Sequence, residues 1–159
     1  MDATSVEWNL SALPDGPGSM EELARDLSAL GAGTPGAISR WMSRPAVLRR
    51  VGLALAEAVP ATASRVIASG DGAMVLGASV SLITGLPFAV VEADAVTFGE
   101  IHHGEDASLV AVDAADLTTV RSSMERAGMG RVTAHSVFGS TPEALFSTDT
   151  EGAVQWTER

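Results

Sequence analysis

The chain has 159 residues and no cysteine, which fits one domain with its own core and excludes disulfides, thiolate metal sites and a cysteine nucleophile. All ten cationic side chains are arginines, so chemistry that needs a lysine of this chain is excluded as well. Twenty acidic residues give a net charge of −10, which argues against binding to nucleic acid or to an anionic membrane surface.

Residues 1–18 predict an N-terminal arm, followed by a single domain over residues 19–159. Several prolines and glycines lie between Pro14 and Gly18, and Trp8 and Leu10 are candidates to anchor the arm. The first ten residues lack the cationic and apolar regions of a signal peptide. The most apolar region, Ala73–Val91, is interrupted by polar residues, glycine and proline and predicts no membrane span. A cytoplasmic location is therefore expected.

Two helices are predicted before the first strand. Ser19 and Glu22 have capping-box spacing, which predicts a helix that begins at Ser19 and ends at Gly31. A second helix is predicted from Pro45 to about Val59. Trp41 and Met42, just before it, fit either an apolar contact patch or ordinary core packing.

A strand–helix–strand unit follows. Arg65–Ala68 is short and rich in β-branched residues, which predicts a central strand. The segment Ser69, Gly70, Asp71 and Gly72 then predicts a tight turn with exposed backbone N–H groups. Residues 73–84 predict a helix buried on most sides, and Phe88–Val91 predicts a second strand, reached by a right-handed crossover.

The segment Glu92–Asp106 is acidic and rich in turn residues. Its apolar residues Val96, Phe98 and Ile101 predict an edge strand. His102 and His103 are adjacent, and adjacent strand residues point to opposite faces, so they rarely share one metal ion. We interpret them as exposed loop residues and predict no metal site.

The segment Leu109–Ala127 predicts a buried strand, an acidic turn and a helix from about Leu117. Such a junction lies at the carboxyl edge of a sheet, where ligands bind in open α/β folds, and it exposes a helix N-terminus. The side chains that it offers to a phosphate or a metal-bound phosphate are Asp113, Asp116, Thr118, Thr119 and Ser122. The alternative is that Asp113 and Asp116 are helix caps and the threonines only cover the first turn.

The remaining segments complete an α/β fold with a central, mainly parallel sheet and helices on both faces. Arg131–Phe138 predicts a strand in which His135 is a core or edge residue. Thr141–Glu143 predicts a short turn of helix. A last strand is predicted at Ala153–Trp156.

This order of elements resembles the type I phosphoribosyltransferases, and most closely their orotate phosphoribosyltransferase branch. The similarity covers about residues 45–138. The turn SGDG at 69–72 matches the family's pyrophosphate-binding loop, and TGLPF at 84–88 matches its helix exit. The segment VDAADLTTVRSS at 112–123 stands where the family carries its signature for phosphoribosyl pyrophosphate (PRPP).

The same segments depart from the family pattern. The family has two adjacent acids and then T-T-G-x-S. If the segment is aligned on Asp113, Ala114 takes the place of the second acid. If it is aligned on the residues Thr118, Thr119 and Ser122, alanines 114 and 115 stand where both acids should be, and Val120 replaces the glycine. The resemblance also implies a lysine-bearing lid after the strand Phe88–Val91. Residues 92–106 have five acids and no lysine or arginine there, so pyrophosphate would lack a stabilising cation.

Two functions remain in view. In the first, the chain is a non-catalytic phosphoribosyltransferase-fold protein, a regulatory subunit or a binder of a small phosphate or nucleotide-like ligand. In the second, it is a divergent transferase that joins a nucleobase-like acceptor to PRPP with Mg²⁺, where Arg121 or a partner's arginine replaces the lysines. The resemblance also implies a homodimer, or a complex with another subunit.

Overall fold

The computed structural model describes residues 18–158 except Pro35 and Asp116. The predicted arm, with Trp8 and Leu10, lies outside the described residues apart from Gly18. The candidate ligand Asp116 also lies outside them.

The described residues form five α-helices and seven β-strands. The helices are α1 (Met20–Ala29), α2 (Ile38–Met42), α3 (Pro45–Glu57), α4 (Ala73–Thr84) and α5 (Leu117–Arg126). The strands are β1 (Arg65–Ser69), β2 (Phe88–Glu92), β3 (Ala95–Phe98), β4 (Ala107–Asp113), β5 (Val132–Phe138), β6 (Ala144–Thr148) and β7 (Val154–Gln155).

The strands form one sheet in the order β3-β2-β1-β4-β5-β6-β7. The four inner pairings, β1 with β2, β1 with β4, β4 with β5 and β5 with β6, are parallel. Only the outermost strands, β3 and β7, pair antiparallel with their neighbours. This arrangement confirms the predicted mainly parallel sheet.

Both faces of the sheet are covered because successive strand residues point to opposite sides. Val66 and Ala68 of β1 belong to the core under α1, α3 and α4, whereas Ile67 belongs to the core under α5. The predicted helices on both faces are therefore confirmed. None of the helices in the described part of the chain is long and apolar enough to span a bilayer.

Local signals set the helix ends as the sequence predicts. The Ser19 hydroxyl accepts a hydrogen bond from the Glu22 N–H at 3.3 Å, and Gly31 follows α1 with a φ of +67°. Gly85 follows α4 with a φ of +75°, a conformation that glycine adopts at little cost.

The prediction that α4 is buried on most sides is wrong. The helix packs against the sheet and α3, but the side chain of Leu82 is 86% exposed, and those of Met74 and Val75 are nearly half exposed. All residues of α4 are apolar or small, so its composition carries no polar stripe to mark the outer face.

Two short elements, α2 and β6, were not predicted. α2 has five residues and no side-chain cap, and it buries Trp41 and Met42 in the core, which favours the packing interpretation of that pair. Thr141–Glu143 forms only one hydrogen-bonded turn, and the chain then enters β6. The short turn predicted there goes no further, because pairing of Ala144 beside Ser136 extends the sheet instead.

β3 lies at the edge of the sheet, as predicted, although Ile101 lies outside it. A tight turn at Ala93 and Asp94 joins it to β2, and Ala93 has the unusual φ of +54°. Because β3 runs antiparallel to β2, it carries the chain back to the amino edge of the sheet.

Candidate functional site

A cleft opens at the carboxyl edge of the sheet, between the ends of β1 and β4. β2 and β4, the next two parallel strands along the chain, pair with opposite edges of β1. The strand order of the sheet therefore reverses at this point. Ligands bind at such points in open α/β sheets. The cleft has a volume of about 510 Å³, which suits a small molecule.

The end of β1 and the loop after it form one wall of the cleft through Ser69, Gly70 and Asp71. Gly70 has a φ of +81° and nothing within 4 Å of where a Cβ would lie, so its backbone faces open space. Gly72 has a φ of +71° and precedes α4 without a side-chain cap. The structure thus forms the predicted tight turn beside a helix N-terminus.

Gly72 also packs closely against α2. A Cβ at Gly72 would lie 2.8 Å from the Met42 sulfur and 3.2 Å from a methyl carbon of Ile38. Glycine is therefore needed here for close packing as well as for its φ. The contact ties α2 to the loop, and Ile38 itself lines the cleft.

Asp113, at the end of β4, forms part of the opposite wall with Ala111 and Val112. Its Oδ1 accepts a hydrogen bond from the Ala115 N–H at 2.9 Å, which fastens the turn that leads into α5. This hydrogen bond supports the capping interpretation for one carboxylate oxygen. The side chain is exposed, so the other oxygen is accessible from the cleft.

The cleft is acidic. Among the described residues that line it, the ionisable side chains are Asp71 and Asp113, and none is a cation. The other lining side chains are apolar or carry hydroxyl groups, such as Phe138, Leu117 and Thr148. Carboxylates in a partly enclosed site repel an anionic ligand more strongly than they would in bulk water.

The predicted ligands of α5 do not join Asp113 in the cleft, into which this helix contributes only Leu117 among the described residues. Thr118 and Arg121 line a separate pocket of about 50 Å³, together with Thr141 and Glu143. The structure therefore does not bring Thr118 or Arg121 into the cleft beside Asp113, and the phosphate site that groups them stays a prediction.

Thr119 and Ser122 are exposed and line neither pocket. The Glu143 carboxylate has a lowered pKa because the Thr141 hydroxyl bonds to it and its backbone assists, with smaller contributions from Arg121 and His135. Arg121 thus lies near Glu143, and none of the polar side chains of α5 is among the described residues that line the cleft.

The acidic segment after β2 is not a lid over the cleft. Glu105 forms an ion pair with Arg65, the first residue of β1, and the Asp106 carboxylate accepts a hydrogen bond from the Arg131 N–H at 2.8 Å. Both contacts lie at the amino edge, opposite the cleft. None of the five acids of residues 92–106 lines the cleft.

The histidines of this segment are exposed, as predicted. The His102 ring lies 3.3 Å from Glu100 and 3.5 Å from Glu105, at the amino edge of the sheet. Within the described ranges, no group of three or more histidine, aspartate or glutamate side chains is arranged to hold a metal ion.

Sequence reasoning missed the loop that covers the cleft, formed by Ala32, Gly33, Thr34 and Gly36 before α2. A Cβ at Gly33 would overlap the carbonyl oxygen of Gly152, in the turn between β6 and β7. The run GAGTPG signals a loop, but its contact with a turn more than a hundred residues later depends on the tertiary fold.

No protein-family model and no curated protein matches the chain. Solved structures do match. A phosphoribosyltransferase from Corynebacterium diphtheriae has a TM-score of 0.59 and 18% identity, over 75% of this chain and 81% of that one. The orotate phosphoribosyltransferase of Mycobacterium tuberculosis in complex with PRPP has the same TM-score and identity, over 75% of each chain.

The likeness extends to an adenine phosphoribosyltransferase from Trypanosoma brucei, solved with AMP, pyrophosphate and ribose-5-phosphate. Its TM-score is 0.59 at 12% identity, over 74% of this chain and 67% of that one. At such identities the comparison establishes the fold, and the chain has the fold of the type I phosphoribosyltransferases.

Proposed function

We propose that the chain is a non-catalytic ligand-binding protein built on the phosphoribosyltransferase fold, acting as a regulatory or ligand-binding subunit. The observation that supports this proposal is the charge of the cleft. Its ionisable lining groups among the described residues are Asp71 and Asp113, whereas PRPP and pyrophosphate are highly anionic.

No arginine is among the described residues that line the cleft. Arg121 lines a different pocket, and Arg65 is held by Glu105 at the opposite edge of the sheet. Removing a single donor from a developing anion typically lowers the rate by about 10²–10³-fold. A cleft whose described lining has no cationic side chain is therefore better suited to binding a ligand than to catalysing the release of pyrophosphate.

A divergent transferase is the second candidate, and the shared position of Asp71 and Asp113 favours it. Both offer hard oxygen ligands in the same cleft. Mg²⁺ is commonly held by one or two carboxylates together with substrate phosphates, so these two residues would fit that ion only with a phosphorylated substrate. The ion would then supply the positive charge that the side chains lack.

Two measurements separate these functions. Calorimetric titration with PRPP and Mg²⁺ should show no micromolar binding if the first proposal holds. A pyrophosphate-release assay across nucleobases should likewise show no turnover. Release that is lost in Asp113→Ala would instead establish the transferase.

We also propose that the chain forms a homodimer through α4 and β3. All the large apolar side chains that are exposed in the described residues belong to these two elements: Met74, Val75, Leu82, Val96 and Phe98. Neither element carries a charge. Two copies of a chain with a net charge of −10 repel each other least where they meet through a charge-free surface.

A further inference from the structure

We infer that the cleft selects uncharged nucleosides over their 5′-phosphates, an inference that rests on the proposed non-catalytic binding function and names its ligand. The argument starts from what the walls can bind. Asp71 and the second carboxylate oxygen of Asp113 accept hydrogen bonds and donate none when ionised. They therefore match a ligand that presents hydroxyl or amino donors.

The rest of the lining suits a molecule with one apolar part. Phe138, Leu117 and Ile38 contribute apolar surface to the same cleft, beside the carboxylates. A ribose supplies hydroxyl donors, and a nucleobase supplies a flat and mostly apolar face. The cleft volume of about 510 Å³ leaves room for both parts.

A phosphate on such a ligand would be disfavoured by charge. A phosphate monoester carries nearly two negative charges at neutral pH, and it would enter a cleft that already holds Asp71 and Asp113. At the effective dielectric constant of a protein surface, repulsion between the phosphate and these carboxylates across several ångströms lowers the affinity by about tenfold or more. The α4 N-terminus follows Gly72, whose Cα side packs against Met42 of α2, and Asp71 lies directly before it, so a phosphate there would also meet a carboxylate.

Calorimetry on the full chain in EDTA tests this selection, because chelation keeps Mg²⁺ from neutralising the carboxylates. The probes are adenosine, uridine, their 5′-monophosphates and spermidine. We expect each nucleoside to bind at least about tenfold more tightly than its monophosphate at low salt. This ratio should fall severalfold at high salt, where charges are screened.

Neutral variants assign the effect to the two carboxylates. In the double variant Asp71→Asn with Asp113→Asn, we expect the ratio of nucleoside affinity to monophosphate affinity to fall by about threefold or more. Asparagine at 113 can still accept the Ala115 N–H, so the turn is retained. The matched control is Glu57→Gln, which removes one negative charge from an exposed site on α3 and should leave the ratio unchanged.

Several results would overturn the inference while the proposed function stands: monophosphates that bind as tightly as nucleosides, an unchanged ratio in the double variant, tighter binding of spermidine, or no nucleoside binding. Micromolar binding of PRPP with Mg²⁺, or release of pyrophosphate, would instead overturn the proposed function.

Discussion

Arg65 and Glu105 join the starts of β1 and β4 through two hydrogen-bonded contacts, Nε to Oε2 at 2.8 Å and Nη2 to Oε1 at 3.2 Å. Arg65 is buried, and the Glu105 side chain is mostly buried. The pair lies at the edge of the sheet opposite the cleft, so the acidic segment that contains Glu105 stabilises the fold there and does not line the cleft.

Replacement of Glu105 by glutamine should therefore lower stability without changing ligand binding. The buried guanidinium of Arg65 would lose its charged partner, and we expect the free energy of unfolding to fall by about 1–2 kcal/mol. Urea unfolding measures this change. Glu100→Gln, at a largely exposed side chain, is the control and should have little effect.

The same pair predicts a pH dependence. The Arg65 guanidinium, which bonds to the Glu105 carboxylate, holds the pKa of that group below its ordinary value of 4.5. A lowered pKa in the folded state means that the stabilisation is complete above 4.5 and is lost as the pH falls through the folded value. The stability difference between the natural chain and Glu105→Gln should be largest at neutral pH and shrink as the pH falls below 4.5. A difference that grows on acidification would contradict this assignment.

The sequence predicted those parts of the fold that local chemistry determines. The Ser19 cap, the Pro45 start of α3 and the Gly85 end of α4 each depend on residues within one turn of the helix. The buried strands β1 and β4 are apolar runs bounded by turn residues, and their carboxyl ends share an edge in any parallel sheet. Asp113 could therefore be placed in the cleft beside the loop at Gly70.

The errors have a common physical origin in contacts between distant segments. The turn at Ala93 has no glycine to mark it, so nothing in the local sequence showed that β3 returns the acidic residues to the amino edge. The period of α5 was known, but the direction of its polar face depends on how Val120 and Met124 pack against the sheet. β6 exists because Ala144 pairs beside Ser136.

Substitution by alanine should lower the free energy of unfolding by different amounts at Gly70 and Gly72, two glycines of the same loop. Both have a left-handed φ, which costs an L residue about 1–2 kcal/mol, but only Gly72 would place its Cβ against Met42. Gly70→Ala should lower the free energy of unfolding by the backbone cost alone, and Gly72→Ala by more. A double-mutant cycle of Gly72→Ala with Met42→Ala should show coupling, whereas the cycle with Gly70→Ala should not.

A charge on α4 should separate the proposed dimer. Leu82 is 86% exposed, so Leu82→Glu should leave the folded chain intact. In a dimer that buries this position, the carboxylate would be desolvated, and we expect the dissociation constant to rise about 100-fold or more. Sedimentation over a range of concentrations measures it. Ser122→Glu adds the same charge to an exposed site on the other face of the sheet and should not change the association.

Arg121 provides the sharpest check on where ligands bind. It was predicted to hold phosphate beside Asp113, but it lines a separate pocket with Thr118 and Glu143. Arg121→Gln should therefore leave ligand affinity in the cleft unchanged, whereas Asp113→Asn should change it. The Thr141 hydroxyl makes the largest contribution to the lowered pKa of Glu143 and the charge of Arg121 a smaller one, so the substitution should raise that pKa only slightly, which NMR can follow. A large loss of ligand binding in Arg121→Gln, with Glu143 unperturbed, would show that the helix reaches the ligand after all.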